Sequence, residues 1–205
     1  MTAGSAVLLG LSLAIAAVSQ TTNAKPDIPA LQTMAAPGDP SAQLALGLAY
    51  QNGRGVQQND AVAAEWYRKA AAAGNFEAQN DLGVMYMNGW GIEKDKAEAV
   101  RWYRLAVKQK NAHAMFNLGS FYYNGDGKEG VRWLRKAAGN GDVRSQLVLA
   151  GTLMDGIFLP PDFVEARQWC EAALKQKSTT AAFCLGGLYR KGLGTPRDLT
   201  KALTR

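Results

Sequence analysis

The chain of 205 residues has a single histidine, two cysteines and no charged side chain anywhere in residues 1–24. Each shortage removes a class of function. One histidine and two cysteines provide no zinc spacing, so neither a metal site nor a cofactor is expected. No Lys/Arg-Gly-Phe run of the kind that stacks RNA bases occurs, so no nucleic-acid partner is expected. The glycine pairs are not followed by Gly-Lys-Ser/Thr, which removes the phosphate-cradling loop. Ser-x-x-Lys followed by Ser-Asp-Asn is missing too, so the serine chemistry that opens β-lactams has no signature. The only histidine, His113, stands at a position where another part of the sequence carries Glu77, which reads as exposed surface. No catalytic residue is expected, and the chain reads as a non-enzyme.

Long apolar runs are also scarce. Ala6 to Val18 is an uninterrupted apolar stretch of thirteen residues, too short to span a bilayer comfortably. Small residues at Thr22-Asn23-Ala24 or Ala17-Val18-Ser19 would suit a signal peptidase. Residues 1–24 therefore read as a cleaved export signal, with an uncleaved anchor or a buried helix as the alternatives. Export would make the protein periplasmic or secreted and, after cleavage, not an integral membrane protein. Residues 25–38, with Pro26, Pro29 and Pro37, read as an irregular linker.

What the chain has is repetition. Leu46-Gly47-x-x-Tyr50 returns as Leu82-Gly83-x-x-Tyr86, Leu118-Gly119-x-x-Tyr122 and Leu185-Gly186-x-x-Tyr189, with Leu149-Ala150-x-x-Leu153 as a weaker copy. The steps are 36, 36, 31 and 36, and Trp66, Trp102, Trp133 and Trp169 follow with 36, 31 and 36. A period of this size means stacked supersecondary units, each covering its neighbour's apolar face. The expected units are about 39–75, 76–111, 112–142, 143–178 and 179–205. Five residues are missing between Gly127 and Trp133.

Each unit divides into two helices. The first is capped by residues such as Asp39, Asp142 or Ser178/Thr179. It closes on a Gly-x-Gly turn at Gly53/Gly55, Gly89/Gly91, Gly125/Gly127 and Gly192/Gly194. The second starts at Asn59, Asp95, Asp162 and Asp198, and the pairs Asp95/Glu98 and Asp162/Glu165 have capping-box spacing. Stepping 100° per residue gathers the Trp, small residues such as Ala63, Ala99 and Ala166, and Tyr67 or Tyr103 on one face, which reads as core. Arg68, Arg104 and Arg135 point the other way and would form a basic ladder on the outside.

The string from Leu82-Gly83 through Tyr86, Gly89, Gly91, Asp95 and Ala99 to Trp102-Tyr103 and Ala106 strongly resembles the Sel-1-like repeat, an α/α relative of the tetratricopeptide repeat. The resemblance covers residues 39–205. It implies an all-α, right-handed α/α superhelical solenoid of about five 36-residue repeats, with first helices lining a groove. It also implies an adaptor or scaffold that binds proteins, often in exported bacterial proteins. The recurrent cysteine pairs of relatives linked to β-lactamase activity are missing.

On that basis the leading expectation is a non-catalytic exported adaptor, working in cell-envelope assembly or signalling. The alternatives are a weak hydrolase of β-lactam or cell-wall substrates and a structural oligomerisation module. The partner would be another protein or peptide, acidic if the formal charge of +6 has a role. A normally solvated surface is the plainer account of that charge. Candidate contact residues break the repeat or line the groove. They are Trp90, Met87, Tyr123 and Asn80, the ladder Arg68, Arg104 and Arg135, and Phe158 in the apolar loop Ile157–Pro161. The incomplete last unit reads either as a natural cap or as an open apolar edge, and the second would serve oligomerisation. Cys170 and Cys184 would stand at similar height on neighbouring helices, so a disulfide and two buried thiols are both open.

Overall fold

A computed structural model describes residues 25–203, and every regular element in them is a helix. The signal-peptide reading of residues 1–24 falls outside the described residues. In chain order the helices are α1 (Ile28–Ala35), α2 (Pro40–Asn52), α3 (Asp60–Ala72), α4 (Phe76–Asn88), α5 (Lys96–Lys108), α6 (Ala112–Tyr123), α7 (Gly127–Gly139), α8 (Val143–Asp155), α9 (Phe163–Lys175), α10 (Thr179–Lys191) and α11 (Leu199–Leu203). They fall into two compact units, one ending at Gln109 and one beginning at Lys110.

The repeated letters become repeated contacts. In the first unit a Cβ on Gly47 would meet the Tyr67 ring at 2.5 Å, and one on Gly83 would meet Tyr103 at 2.6 Å. The glycine of each Leu-Gly pair is thus the floor on which the Tyr after Trp lies flat. In the second unit the partner of Gly119 is Leu134, and Ala150 stands where Cys170 replaces the aromatic ring. A smaller side chain on the second helix releases the glycine on the first. Tyr67, Leu134 and Cys170 are all at most 1% exposed, so the seam is continuous core within each unit.

Caps fix where the helices begin. Asp39, Asn59, Asn75, Asp95, Asn111, Asp142, Asp162 and Ser178 each accept a bond from a backbone N–H of the first turn. Gly53, Gly89, Gly156 and Gly192 end first helices in the left-handed conformation.

Three expectations need correction. Residues 25–38 are not an irregular linker. Asp27 caps α1 by accepting from Ala30, and Pro29 sits in the first turn, where a missing N–H costs nothing. Leu31 and Ala35 are buried against Ala42 and Leu46 of α2. The Ala35 carbonyl accepts from Gln43 Nε2, as Ala71 accepts from Gln79. Residues 28–38 therefore occupy the place of a second helix, one period ahead of α3.

Second, Gly125/Gly127 is not a glycine turn. The connection between α6 and α7 is only residues 124–126, against 89–95 and 156–162 elsewhere, and Asp126 caps a helix that begins at Gly127. The missing residues come from this connection and the end of α6, while α7 keeps its 13 residues. Third, the tryptophans are not fully core. Trp66, Trp102, Trp133 and Trp169 are half-buried. Lys69 Nζ lies 4.2 Å above Trp66 and Lys136 Nζ 4.2 Å above Trp133, so ammonium groups roof the outer ring faces.

Candidate interaction surfaces

In the first unit Trp90 is the outlier. It sits between two left-handed glycines, Gly89 and Gly91, and is 47% exposed. Met87 is half-buried on the last turn of α4. Asn80, proposed from sequence as a groove contact, is buried at 8% exposure and donates from Nδ2 to Asp81 Oδ1 at 3.0 Å. Its amide serves the packing of α4. Arg68 and Arg104 are exposed on α3 and α5.

The buried phenols of this unit offer no acid–base chemistry near neutrality. Burial, reinforced by the Asp81 and Asp60 carboxylates, pushes the Tyr67 hydroxyl far above its ordinary pKa, and it donates to Gln51 Oε1 at 2.7 Å. Burial and Asp81 do the same to Tyr103.

In the second unit Tyr123 and Phe158 meet. Their rings pack edge to face with centroids 4.9 Å apart, and the Tyr123 hydroxyl is 3.1 Å from Thr152 Oγ1. Phe158 has φ 65° and is 40% exposed. It stands where the other complete turns carry their second glycine. A Cβ on Gly91 would collide with the Asp60 backbone, and one on Gly194 with the Phe163 backbone. Phe158 instead faces Gly127, which has no side chain and heads the helix after the shortened connection. The missing side chain at Gly127 leaves the space that Phe158 fills, so the loop is partly a plug.

Arg135 leaves the ladder as well. Its Nε and Nη2 donate to Glu165 Oε1 and Oε2 at 2.8 and 2.9 Å, a two-pronged pair that holds the Glu165 carboxyl below its usual range. The partner lies on α9, 30 residues on, where no local rule points.

His113 is exposed as expected, with Nδ1 3.2 Å from Asp142 Oδ2 and 2.9 Å from Arg144 Nη2. Ser145 Oγ lies nearby but donates to Asp142 Oδ1 at 2.8 Å and is fully buried. A serine nucleophile must hand its proton to a base that can later return it; here the hydroxyl is spent on a capping carboxylate. Among the described residues no group of three or more His, Cys, Asp or Glu side chains is placed to hold a metal. Cys170 and Cys184 form a disulfide between α9 and α10, with Cα atoms 6.2 Å apart.

Two features escaped the sequence reading. The basic excess is one-sided: residues 25–109 carry nine Lys/Arg and nine Asp/Glu, whereas residues 110–205 carry fourteen and eight. And Phe183 on α10 is 82% exposed. Counting charge by halves and aligning Phe183 with Leu44 at the same repeat position would have revealed both.

Comparison with known proteins agrees with this geometry. The chain is 31% identical to the crystal structure of c5321, described as a protective antigen of uropathogenic Escherichia coli strains displaying an SLR fold. That match has a TM-score of 0.79 over 86% of this chain and 39% of the other, so the chain spans about two fifths of that relative. A Sel1 repeat protein from Oxalobacter formigenes matches at 30% identity and a TM-score of 0.75, over 82% of this chain and 70% of the other. A search of curated proteins returned no match. The family model for the Sel1 repeat matches residues 40–75, 76–111, 112–142, 143–178 and 180–204, and the chain belongs to the Sel1 repeat family.

Proposed function

We propose that this protein is an exported, non-catalytic adaptor that binds another polypeptide, with Trp90 as an anchor and the basic second unit attracting an acidic partner. Sel1 repeat proteins generally mediate protein–protein interaction. The observation that carries the reading for this chain is Trp90, a large aromatic held 47% exposed in a turn where the other complete turns place Arg54, Ile157 or Leu193. A half-exposed indole on a rigid turn loses little entropy on docking, and tryptophan is enriched at binding hot spots. The charge imbalance of residues 110–205 favours faster encounter with a negatively charged partner. Export is supported by the Cys170–Cys184 bridge, a bond of oxidising compartments, and by the apolar stretch Ala6–Val18. Among the described residues no helix is long and apolar enough to cross a membrane.

The test is crosslinked pull-down from the envelope fraction, wild type against Trp90→Ala, at low and high salt. A partner that is lost with the variant and weakened by salt supports the reading. Equal recovery with Trp90→Ala removes Trp90 from the surface. Nitrocefin turnover by the purified protein would replace the reading with the hydrolase.

A further inference from the structure

Within the second unit α8 has packing partners before and after it in the chain. Tyr123 of α6 meets Thr152 of α8, and Leu185 of α10 shares one core cluster with Leu149 and Leu153. What α8 leaves open is therefore not an end of the stack. Arg144, Val148 and Gly151 follow at steps of four and three, so they lie in one stripe. Val148 is 41% exposed, although its neighbour Leu149 is fully buried. A Cβ on Gly151 would meet nothing within 4 Å, and glycine is less favourable than alanine in a helix interior. Packing inside the chain requires neither the exposed valine nor the bare glycine.

Arg144, at the head of the stripe, is a cation held in place. Its Nη2 donates to Asp142 Oδ2 at 3.2 Å and to His113 Nδ1 at 2.9 Å. Arginine has no acceptor, so Nδ1 is the accepting nitrogen of that contact. The guanidinium lies on the Phe116 ring, with Cζ 4.2 Å from the centroid. Nη2 and one face of the group are thus spent on positioning. Nε and Nη1 have no partner among the described residues, and the side chain is 53% exposed. A group immobilised before its ligand arrives loses little entropy on binding.

The open donors call for an anion. A phosphate dianion needs more than one cation, and the groups around Arg144 supply none: Asp142 is a carboxylate, His113 accepts through Nδ1 and Phe116 is apolar. A singly charged carboxylate matches. On α6, α8 and α10 the charged residues are Arg144, Arg190 and Lys191 against Asp155, which lies eleven residues, about 16 Å, from Arg144. Residues 110–205 carry fourteen Lys/Arg and eight Asp/Glu, which favours a segment with several carboxylates over a chain terminus with one. In an extended segment alternate side chains share a face about 6–7 Å apart. Arg144 and Val148 are one helical turn, about 6 Å, apart along the axis.

We propose that the Arg144–Val148–Gly151 stripe binds an acidic segment of a partner protein, in which an Asp or Glu carboxylate accepts from Arg144 and a large apolar side chain two residues away packs on Val148 over Gly151. His113, Asp142 and Phe116 position the arginine. This rests on the adaptor reading and adds to it the residues that recognise the acidic partner.

The test titrates isotope-labelled protein, purified after expression of the full chain, with the capped peptide acetyl-Gly-Leu-Ser-Glu-Ser-Leu-Gly-amide. Leucine two residues to either side of the glutamate makes the probe indifferent to chain direction. The Arg144 Nε–H signal and the amides of Val148 and Gly151 shift together and saturate. Replacing the peptide's glutamate by glutamine, or both leucines by serine, weakens binding about tenfold. Arg144→Gln does the same. Gly151→Leu fills the open space and abolishes binding, yet it adds helix propensity and leaves the melting temperature no lower, so lost folding is not mistaken for lost recognition. A wild type that shows no shift at any peptide concentration overturns the proposal. So does equal binding of the glutamate and glutamine peptides, a Gly151→Leu protein that binds like wild type, or tighter binding of a phosphoserine peptide. Tighter binding of the glutamine peptide with a free terminal carboxylate overturns it too. The envelope pull-down, repeated with Arg144→Gln, separates the two readings. A partner still captured when the peptide fails removes this site and leaves the adaptor standing, whereas no partner for either form removes both.

Discussion

Gln109 donates from Nε2 to Gln79 Oε1 at 3.3 Å and to the Gly74 carbonyl at 2.9 Å, while Gln79 Nε2 donates to the Ala71 carbonyl. The end of one repeat is thereby stitched to the beginning of its own first helix and to the loop before it. Gln176, Gln146, Gly141 and Ala138 repeat the arrangement in the second unit. In the first repeat the circuit is broken. Ala73 stands where Gln109 would be, and Gln43 Oε1 is buried without a partner.

That gap gives the first prediction. Ala73→Gln supplies the missing donor and stabilises the first unit by about 1 kcal/mol, the net worth of a hydrogen bond that satisfies a buried acceptor. Gln109→Ala recreates the defect at Gln79 and costs a similar amount. Urea unfolding followed in the first unit reads both, and an Ala73→Gln protein with an unchanged midpoint refutes the account.

Phe158 and Gly127 form a coupled pair. Gly127→Ala adds helix propensity, yet its methyl group enters the Phe158 ring, so it destabilises by about 1–3 kcal/mol as an overpacked contact. In a Phe158→Gly background, where the ring is gone and the left-handed backbone is relaxed, the same substitution becomes neutral or favourable. A double-mutant cycle measures this. Additive effects would mean that the shortened connection and the odd turn residue are unrelated.

The period, the helix pairs and most caps were readable because each rests on local chemistry repeated several times. The errors share one cause, which is dependence on a neighbour in space. Pro26 and Pro29 look like linker residues until Ala35 is seen accepting from Gln43. Asn80 looks like a groove residue because polarity alone does not report burial. Arg135 lies on the outer face as phased, but Glu165 of α9 claims it. For Cys170 and Cys184, helical phase alone left bridge and thiols equally open, and the register of α9 against α10 decides between them.

Acid should loosen the second unit. Burial opposes ionisation of Asp142, but bonds from the Ser145 N–H and hydroxyl and from Arg144 outweigh it and leave the pKa lowered. Arg135 and Trp169 lower Glu165 likewise. A carboxyl whose folded pKa is depressed contributes stability above the unfolded carboxylate range and loses it as pH falls through the folded value. Thermal melts from about pH 7 down to about pH 3 should therefore show a declining transition. Asp142→Asn should be less stable at neutrality and less dependent on acid. An equal decline in wild type and variant would show that Asp142 is not the group responsible.

The disulfide links the question of stability to that of compartment. Cys170 and Cys184 are separated by 14 residues and tie α9 to α10. Closing a loop of that length stabilises by about 3 kcal/mol in the chain-entropy account. Cys184→Ala, which leaves the buried Cys170 in place, should lower the denaturant midpoint of the second unit and speed amide exchange in α10 and α11, with α2 to α5 unaffected. Dithiothreitol should reproduce the effect in wild type and change nothing in the variant. The compartment reading is then tested by alkylating the protein as isolated from cells expressing the full chain. Export gives no reactive thiol, whereas deletion of residues 1–24 retains the chain in a reducing compartment and gives two. Two thiols in the full-length product would sink the export reading while leaving the adaptor fold intact.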